Sequence, residues 1–155
     1  MNKKIYLILH NIRSAENVGA IFRTADATGV SHIYLSGYTP RPVDQFGRVS
    51  RKVAKTALGA EKIIAWDYVK NVTVLIKKLK ESKKAVIAIE QDKQSIDYKK
   101  FKLTTASAFV FGNEVTGLSK SILSKCDQIV EIPMKGQKES LNVSVAVGVI
   151  LFHLF

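Results

Sequence analysis

The sequence predicts an α/β fold, a mostly parallel sheet flanked by helices, formed as a single domain over residues 1–155. Three observations carry that reading. Short β-rich apolar runs recur along the chain, helical stretches separate them, and the runs stay apolar at consecutive positions where a half-exposed sheet would alternate. The length suffices for a self-contained core, and no repeat, low-complexity tract or linker divides it.

The first run is "IYLIL" at 5–9. Beyond it, Val18, Ile21, Phe22 and Ala25 fall at i, i+3, i+4 and i+7, one apolar stripe for a helix lying on the sheet, with Ser14 in the capping position upstream. Arg23 therefore lies on the side away from the stripe, where an ordinary solvated arginine is the plain alternative to a functional one. The second run is "HIYLS" at 32–36. The loop and helix after it, 41–55, carry Arg41, Arg48, Arg51, Lys52 and Lys55 near Phe46, a mixture suited to RNA phosphate contacts plus one stacked base. Ordinary basic surface also collects beside strand ends, and both readings stay open.

"KIIAW" at 62–66 reads as the third strand, and 68–84 as an amphipathic helix with a lysine-laden outer face. "AVIAI" at 85–89, "AFVFG" at 108–112 and "QIVEI" at 128–132 complete the set. The chain closes on its most apolar segment, whose valines, Ile150, Leu151, Phe152, Leu154 and Phe155 spread around all sides of a helix. Something in the fold, or a second copy of it, has to cover such a helix.

The formal charge is +11, from 24 Lys and Arg against 13 Asp and Glu, so the long-range field attracts polyanions. RNA, DNA and anionic membrane are the candidate partners, beside a merely lysine-rich surface. A single cysteine, Cys126, rules out an internal disulfide framework, reads as a core thiol and fits the reducing cytosol. The N-terminal apolar run is too short for a signal-peptide core, and the final one, interrupted by Asn142, Ser144 and His153, falls short of the ~20 residues that span a bilayer. A cytoplasmic protein without membrane attachment is expected.

Several site types are excluded by pattern. There is no G-x-x-x-x-G-K-[ST] loop, and the first strand leads into "HNIRSAENVG" where a dinucleotide fold carries G-x-G-x-x-G. His10, His32 and His153 lack metal-site spacing, so no metal is expected. What remains is three polar glycine-bearing loops, "HNIRSAENVG", "GNEVTGLS" and "PMKGQKESLN", each at the carboxyl end of an apolar run. Ligands of open α/β sheets bind at such ends. Gly112 and Gly117 would permit close backbone approach, and Pro133 and Gly136 would shape the third loop. A polar planar ligand such as an adenine would meet backbone amides, with Ile132, Met134 and Leu141 as apolar walls.

Taken together, "NVGAIFRTADATGV", "FVFGNEVTGLS" and "IPMKGQKESLNVSVAVGVILF" resemble the three motifs of the SpoU, or TrmH-like, RNA 2′-O-ribose methyltransferases of the SPOUT superfamily. The resemblance covers essentially the whole chain. It implies a parallel α/β fold whose C-terminal part threads a trefoil knot around S-adenosylmethionine, with the site completed across a homodimer. Carried over by motif position, Gly112, Ile132 and Leu141 would contact the cofactor, helped by the backbone near Met134 and Gly136. Asn17, Arg23, Glu114, Ser140 and Asn142 would form the catalytic neighbourhood.

Alignment of a ribose 2′-oxygen with the sulfonium methyl can supply roughly 7–11 kcal/mol of the barrier. A free arginine is a poor base, since its pKa exceeds about 12, so Arg23 reads better as a cation that stabilises developing charge on the 2′-oxygen or grips the adjacent phosphate. Direct proton abstraction would need strongly perturbing surroundings. Asn17, Ser140 and Asn142 would orient it or the ribose; helix capping is their alternative, and suits Ser140 best. Glu114 would shape its own loop through backbone hydrogen bonds.

Larger relatives add an RNA-binding domain or extra helices, whereas this chain starts almost on its first strand and ends on its last helix. No added RNA-binding domain is expected, and target choice, tRNA or rRNA, falls to the domain's own surface, the dimer or another protein. The competing reading is a non-catalytic RNA-binding or ribosome-assembly module that keeps the fold. The intact Asn17, Arg23, Glu114, Ser140 and Asn142 argue against such decay.

Overall fold

The computed structural model describes residues 3–155. Strands β1 (Ile5–His10), β2 (His32–Ser36), β3 (Trp66–Val69), β4 (Ala85–Ile89), β5 (Ile96–Asp97), β6 (Ser107–Phe111) and β7 (Gln128–Glu131) are interleaved with six helices. The helices are α1 (Ala15–Thr28), α2 (Arg51–Ala57), α3 (Ala60–Ile63), α4 (Val72–Glu81), α5 (Lys120–Lys125) and α6 (Val143–His153). The strands form one sheet in the order β3-β2-β1-β6-β4-β7-β5. Every pairing between them is parallel.

The consecutive apolar positions follow from burial on both faces. Leu7, Leu9, Ile87, Ile89, Phe109 and Phe111 belong to one core layer with the stripes of α1 and α6, while Ile8, Val86, Ala88, Ala108 and Val110 belong to the other, with α4 and α5. Odd and even residues of the same strand thus serve opposite layers, as the pleat requires. The α1 stripe of Val18, Ile21, Phe22 and Ala25 is wholly buried, and the Ser14 hydroxyl accepts from the Asn17 amide at 3.1 Å, so the helix starts where its cap predicts.

Three expectations change. The sheet gains a seventh strand, the edge strand β5, whose two residues Ile96 and Asp97 pair with Val130 and Glu131 of β7 and are too few to stand out as an apolar run. The third strand is not 62–66 but Trp66–Val69, because Gly59 opens the short helix α3, in which Ala60 and then Ile64 turn inward at helical spacing while Ile63 stays exposed. The amphipathic helix is Val72–Glu81, shorter than 68–84. Asn71 caps it by accepting from the Thr73 and Val74 amides, and Tyr68 and Val69 belong to β3. Cys126 is half-buried against the second core layer, and that burial, with Asp127 beside it, pushes its thiol up to about 11 against the opposing pull of Lys80.

The closing helix α6 is covered along one stripe only. Val143, Val147, Ile150 and Leu151 are buried, at i, i+4, i+7 and i+8, whereas Val145, Phe152 and Phe155 are 51, 61 and 72% exposed. Among the described residues no helix is long and apolar enough to cross a membrane.

Candidate active site

Strand order decides where the site forms. From β1 the chain steps outward through β2 to β3, then crosses to β4 on the far side of β6, so β1 and β6 meet at a topological switch point. The loops at the carboxyl ends of β4, β6 and β7 line a cleft of about 290 Å³. Its apolar lining includes Ile89, Phe111, Ile132, Met134 and Leu141, and its polar lining includes Glu90, Gln91, Asn113, Glu114 and Ser140.

The β6 loop is shaped by its own backbone. Gly112 and Gly117 face each other across it, and a Cβ on Gly112 would stand 2.7 Å from the Gly117 carbonyl carbon. Gly117 has φ +64, in the left-handed region, and a Cβ there would overlap Glu90 Oε2. The bareness of Gly112 thus serves loop closure in the first place. Gly136 has open space around it and lies outside the cleft lining.

Glu114 was expected to shape its own loop. Instead Asn113 does so: its Oδ1 accepts from the Val115 and Thr116 amides, each at 2.8 Å. Glu114 reaches across to the loop after β1, where its Oε2 accepts from the Arg13 amide at 3.0 Å and its Oε1 from the Ser14 amide at 3.2 Å. Burial by itself would raise this carboxyl, but the amides of Arg13, Glu114 and Ser14 and the Asn17 side chain prevail and hold it below the usual carboxylate range. At neutral pH it is an ionised acceptor already engaged by backbone.

Asn142, and not Ser140, caps α6. Its Oδ1 accepts from the Ser144 amide at 2.9 Å while its Nδ2 donates to Asn17 Oδ1 at 3.2 Å, so two of the expected polar residues meet across the ends of α1 and α6. Ser140 and Leu141 line the cleft, with Leu141 40% exposed. Arg23 is not there. It lies exposed on α1, beside Lys55 and Phe152 in a separate depression between α1, α2 and α6. Arg41 and Arg48 line another cavity, beyond β2, and Arg51 and Lys52 are exposed on α2.

A further loop, the one after β4, carries no glycine-rich sequence signal, although the strand-end rule that applies to the other loops covers it. Glu90 is its key residue, accepting from the Leu118 amide at 3.0 Å and the Gln91 amide at 2.9 Å. With it the cleft gathers Glu90, Glu114, Glu131 and Glu139 and, among the described residues, no lysine or arginine. An acidic cleft in a chain of charge +11 suits a ligand with cationic groups, and the apolar walls suit a flat ring. The donor set therefore fits S-adenosylmethionine, which has a sulfonium, an ammonium and an adenine.

The model of the SpoU rRNA Methylase family matches residues 4–152. The chain belongs to that family. It is 35% identical to the 23S rRNA (guanosine-2′-O-)-methyltransferase RlmB of Neisseria meningitidis over 95% of this chain and 56% of the relative. The Haemophilus ducreyi protein of the same name is 34% identical, over 97% of this chain and 58% of the relative. The chain thus spans little more than half the length of these curated relatives. Among solved structures, the A. aeolicus TrmH/SpoU tRNA modifying enzyme superposes with TM-score 0.85 at 28% identity, over 98% of this chain and 74% of that one. The AdoMet-bound rRNA methyltransferase of Sinorhizobium meliloti gives TM-score 0.86 at 26% identity, over 98% of this chain and 56% of that one.

Proposed function

We propose that this chain transfers the methyl group of S-adenosylmethionine to a ribose 2′-hydroxyl of transfer or ribosomal RNA, in the cytoplasm and as a homodimer. The observation that carries the reading is the acid-lined cleft at the switch point of a parallel sheet, built by the family's second and third motifs, in an otherwise strongly basic chain. Its family membership and the named activities of its relatives support the same chemistry.

When bound, the cofactor supplies an electrophilic methyl group on a cationic sulfur. The backbone around Gly112, Ile132 and Met134 would hold its adenine, with Leu141 as a wall and Gly136 leaving the third loop unobstructed. The four carboxylates favour a cationic cofactor over its neutral-sulfur product, so turnover itself weakens their hold. Ser140 and the Asn17–Asn142 pair would position the ribose. Glu114 keeps the β1 and β6 loops together and remains ionised, so it is a positioning residue.

Arg23 lies outside the cleft of its own chain, and this supports a shared site: the depression holding Arg23, Lys55 and Phe152 would meet the cleft of a second copy, covering the open side of α6 as well. There the guanidinium would stabilise charge developing on the 2′-oxygen, whose proton would leave to solvent as the methyl group is taken from sulfur, or would hold the neighbouring phosphate. Arg41, Arg48, Arg51, Lys52 and Lys55 would hold further phosphates, and each contact displaces counterions, so affinity should fall steeply with salt.

The test incubates the protein with methyl-labelled cofactor and total cellular RNA, then digests the RNA and separates the nucleosides. Label on ribose is expected. Label on bases alone would overturn the reaction, and cofactor binding without transfer to any RNA would turn the reading to a non-catalytic module.

A further inference from the structure

Beyond β2 lies a second cavity that the cofactor cleft does not use. It is about 340 Å³ in volume, and Tyr38, Arg41, Phe46, Arg48 and Tyr68 line it. Two of these aromatic side chains are unusually open to solvent, Tyr38 at 59% and Phe46 at 71%. Both arginines are already seated on rings: the Arg41 guanidinium lies 3.5 Å from the Tyr68 ring centroid, and that of Arg48 5.0 Å from Phe46. Asp44 Oδ2 accepts from Arg48 Nε at 2.7 Å, which orients the guanidinium and leaves its outer N–H groups for another acceptor.

The cavity is tied to the cofactor cleft through one side chain. The Tyr38 hydroxyl accepts from Asn113 Nδ2 at 2.9 Å, and Asn113, only 7% exposed, lines the cleft and shapes the β6 loop. The Tyr38 amide donates to Asn11 Oδ1 at 3.2 Å, and Asn113 Nδ2 also donates to the Asn11 carbonyl at 3.0 Å. Tyr68 braces the same turn by donating its hydroxyl proton to the Gly37 carbonyl at 3.1 Å. An exposed ring is therefore held at both its backbone and its hydroxyl, and the side chain holding the hydroxyl is a wall of the cleft.

We infer that this cavity is a nucleobase subsite: an unpaired base of the RNA, adjoining the nucleotide whose ribose enters the cleft, stacks on Phe46 and Tyr38 while Arg48 and Arg41 hold its phosphate. This rests on the RNA methyltransferase reading. Stacking platforms flanked by arginines are the chemistry by which single-stranded RNA is held, and they tolerate any base because every base has a π-face. The Asn113–Tyr38 hydrogen bond, which joins a residue of the cleft lining to one of the cavity lining, sets the spacing between stacked base and reacting ribose. The subsite thereby selects for loops and ends over continuous duplex.

Phe46 is the residue to test, because its ring is mostly in solvent and its loss leaves the core intact. Random-sequence single-stranded oligoribonucleotides carrying one 4-thiouridine each are irradiated with the full chain, and adducts are located by mass spectrometry. Adducts on Tyr38, Phe46 or Tyr68 are expected, much reduced when the oligonucleotide is annealed to its complement. In parallel, Phe46→Ala should raise the half-saturating concentration of total RNA for methyl transfer at least tenfold with cofactor affinity unchanged, and Phe46→Tyr, which keeps a ring, should match the wild type. Adducts confined to other surfaces, or Phe46→Ala saturating at the wild-type concentration, would overturn the subsite while leaving the reaction standing. Adducts at Tyr38–Tyr68 from a wild-type protein that methylates no RNA would support the subsite and remove the reaction instead.

Discussion

Asn142 and Asn17 join the starts of the last and first helices. Asn142 Nδ2 donates to Asn17 Oδ1 at 3.2 Å while the other end of the same amide caps α6. One side chain thus does two separable things. Asn142→Asp keeps the cap oxygen and loses the donor, so it should retain stability yet lose most methyl transfer. Asn142→Ala loses both and should also cost about 1 kcal/mol of stability. Chemical denaturation beside single-turnover rates checks this; equal activity in Asn142→Asp and wild type would confine Asn142 to capping.

Gly112 should act on the cofactor through the loop. A Cβ there meets the Gly117 carbonyl carbon at 2.7 Å, so Gly112→Val must push the two sides of the β6 loop apart and deform the cleft wall. Cofactor affinity should fall at least tenfold, about 1.4 kcal/mol. Calorimetry on the folded variant decides, and unchanged affinity would separate the loop from the cofactor site.

Arg23 and Phe152 share one depression, and their variants should fail differently. Arg23→Ala should preserve cofactor affinity and thermal stability but abolish most single-turnover transfer, and Arg23→Lys should restore only part because lysine lacks the planar fork. Phe152→Glu, at a position 61% exposed in one chain, should leave the fold intact and weaken self-association at least tenfold. Sedimentation should give twice the chain mass for the wild type. A wild-type monomer at micromolar concentration would sink the shared-site proposal.

Glu114 should make stability acid-sensitive. Its folded pKa lies below its unfolded value, so the stabilisation is present above the unfolded carboxylate range, about 4.3, and is lost as pH falls through the folded value. The stability difference between wild type and Glu114→Gln should therefore be constant from neutrality down to about pH 5 and shrink below it. A difference that grows on acidification would contradict the amide clamp at Arg13 and Ser14.

Cys126 should be an inert thiol. Burial, with Asp127 adjacent, raises it to about 11 in the folded state. Alkylation at pH 8 should be on the order of a hundredfold slower than for a free thiol and should recover on unfolding. Because its folded pKa lies above its unfolded one, the associated stability is present at neutral pH and lost as pH rises through that folded value. Fast alkylation of the native protein would mean that the thiol is exposed.

Much of the site was legible from residue pattern. The loops after β1, β6 and β7 announced themselves because glycine and asparagine interrupt apolar runs at strand ends, and the α1 stripe because its spacing is helical. Glu90 escaped notice because the stretch after β4 has no glycine or proline to mark it. The apolar pattern places β3 too early because Ile63 and Ile64 are apolar in sequence whether or not both are buried. Tyr38 carried no signal at all, since nothing local tells a solvent-facing tyrosine in a turn from one held by a buried amide.

The sequence by itself determined much of the local order: where the longer helices and the central strands lie, that those central strands are buried on both faces, and which motif each loop carries. Those properties depend on neighbours within a few residues, through propensity, capping and period. Only the tertiary structure decided which of these groups meet. The Arg13–Glu114 clamp joins residues 101 positions apart, and Asn142 reaches Asn17 across 125. Such pairs are set by the order in which parallel strands lie side by side, which no local pattern encodes. Arg23 shows both levels: its position away from the sheet follows from the helical stripe of α1, whereas the depression it shares with Lys55 and Phe152 exists only because α2 and α6 pack beside that helix.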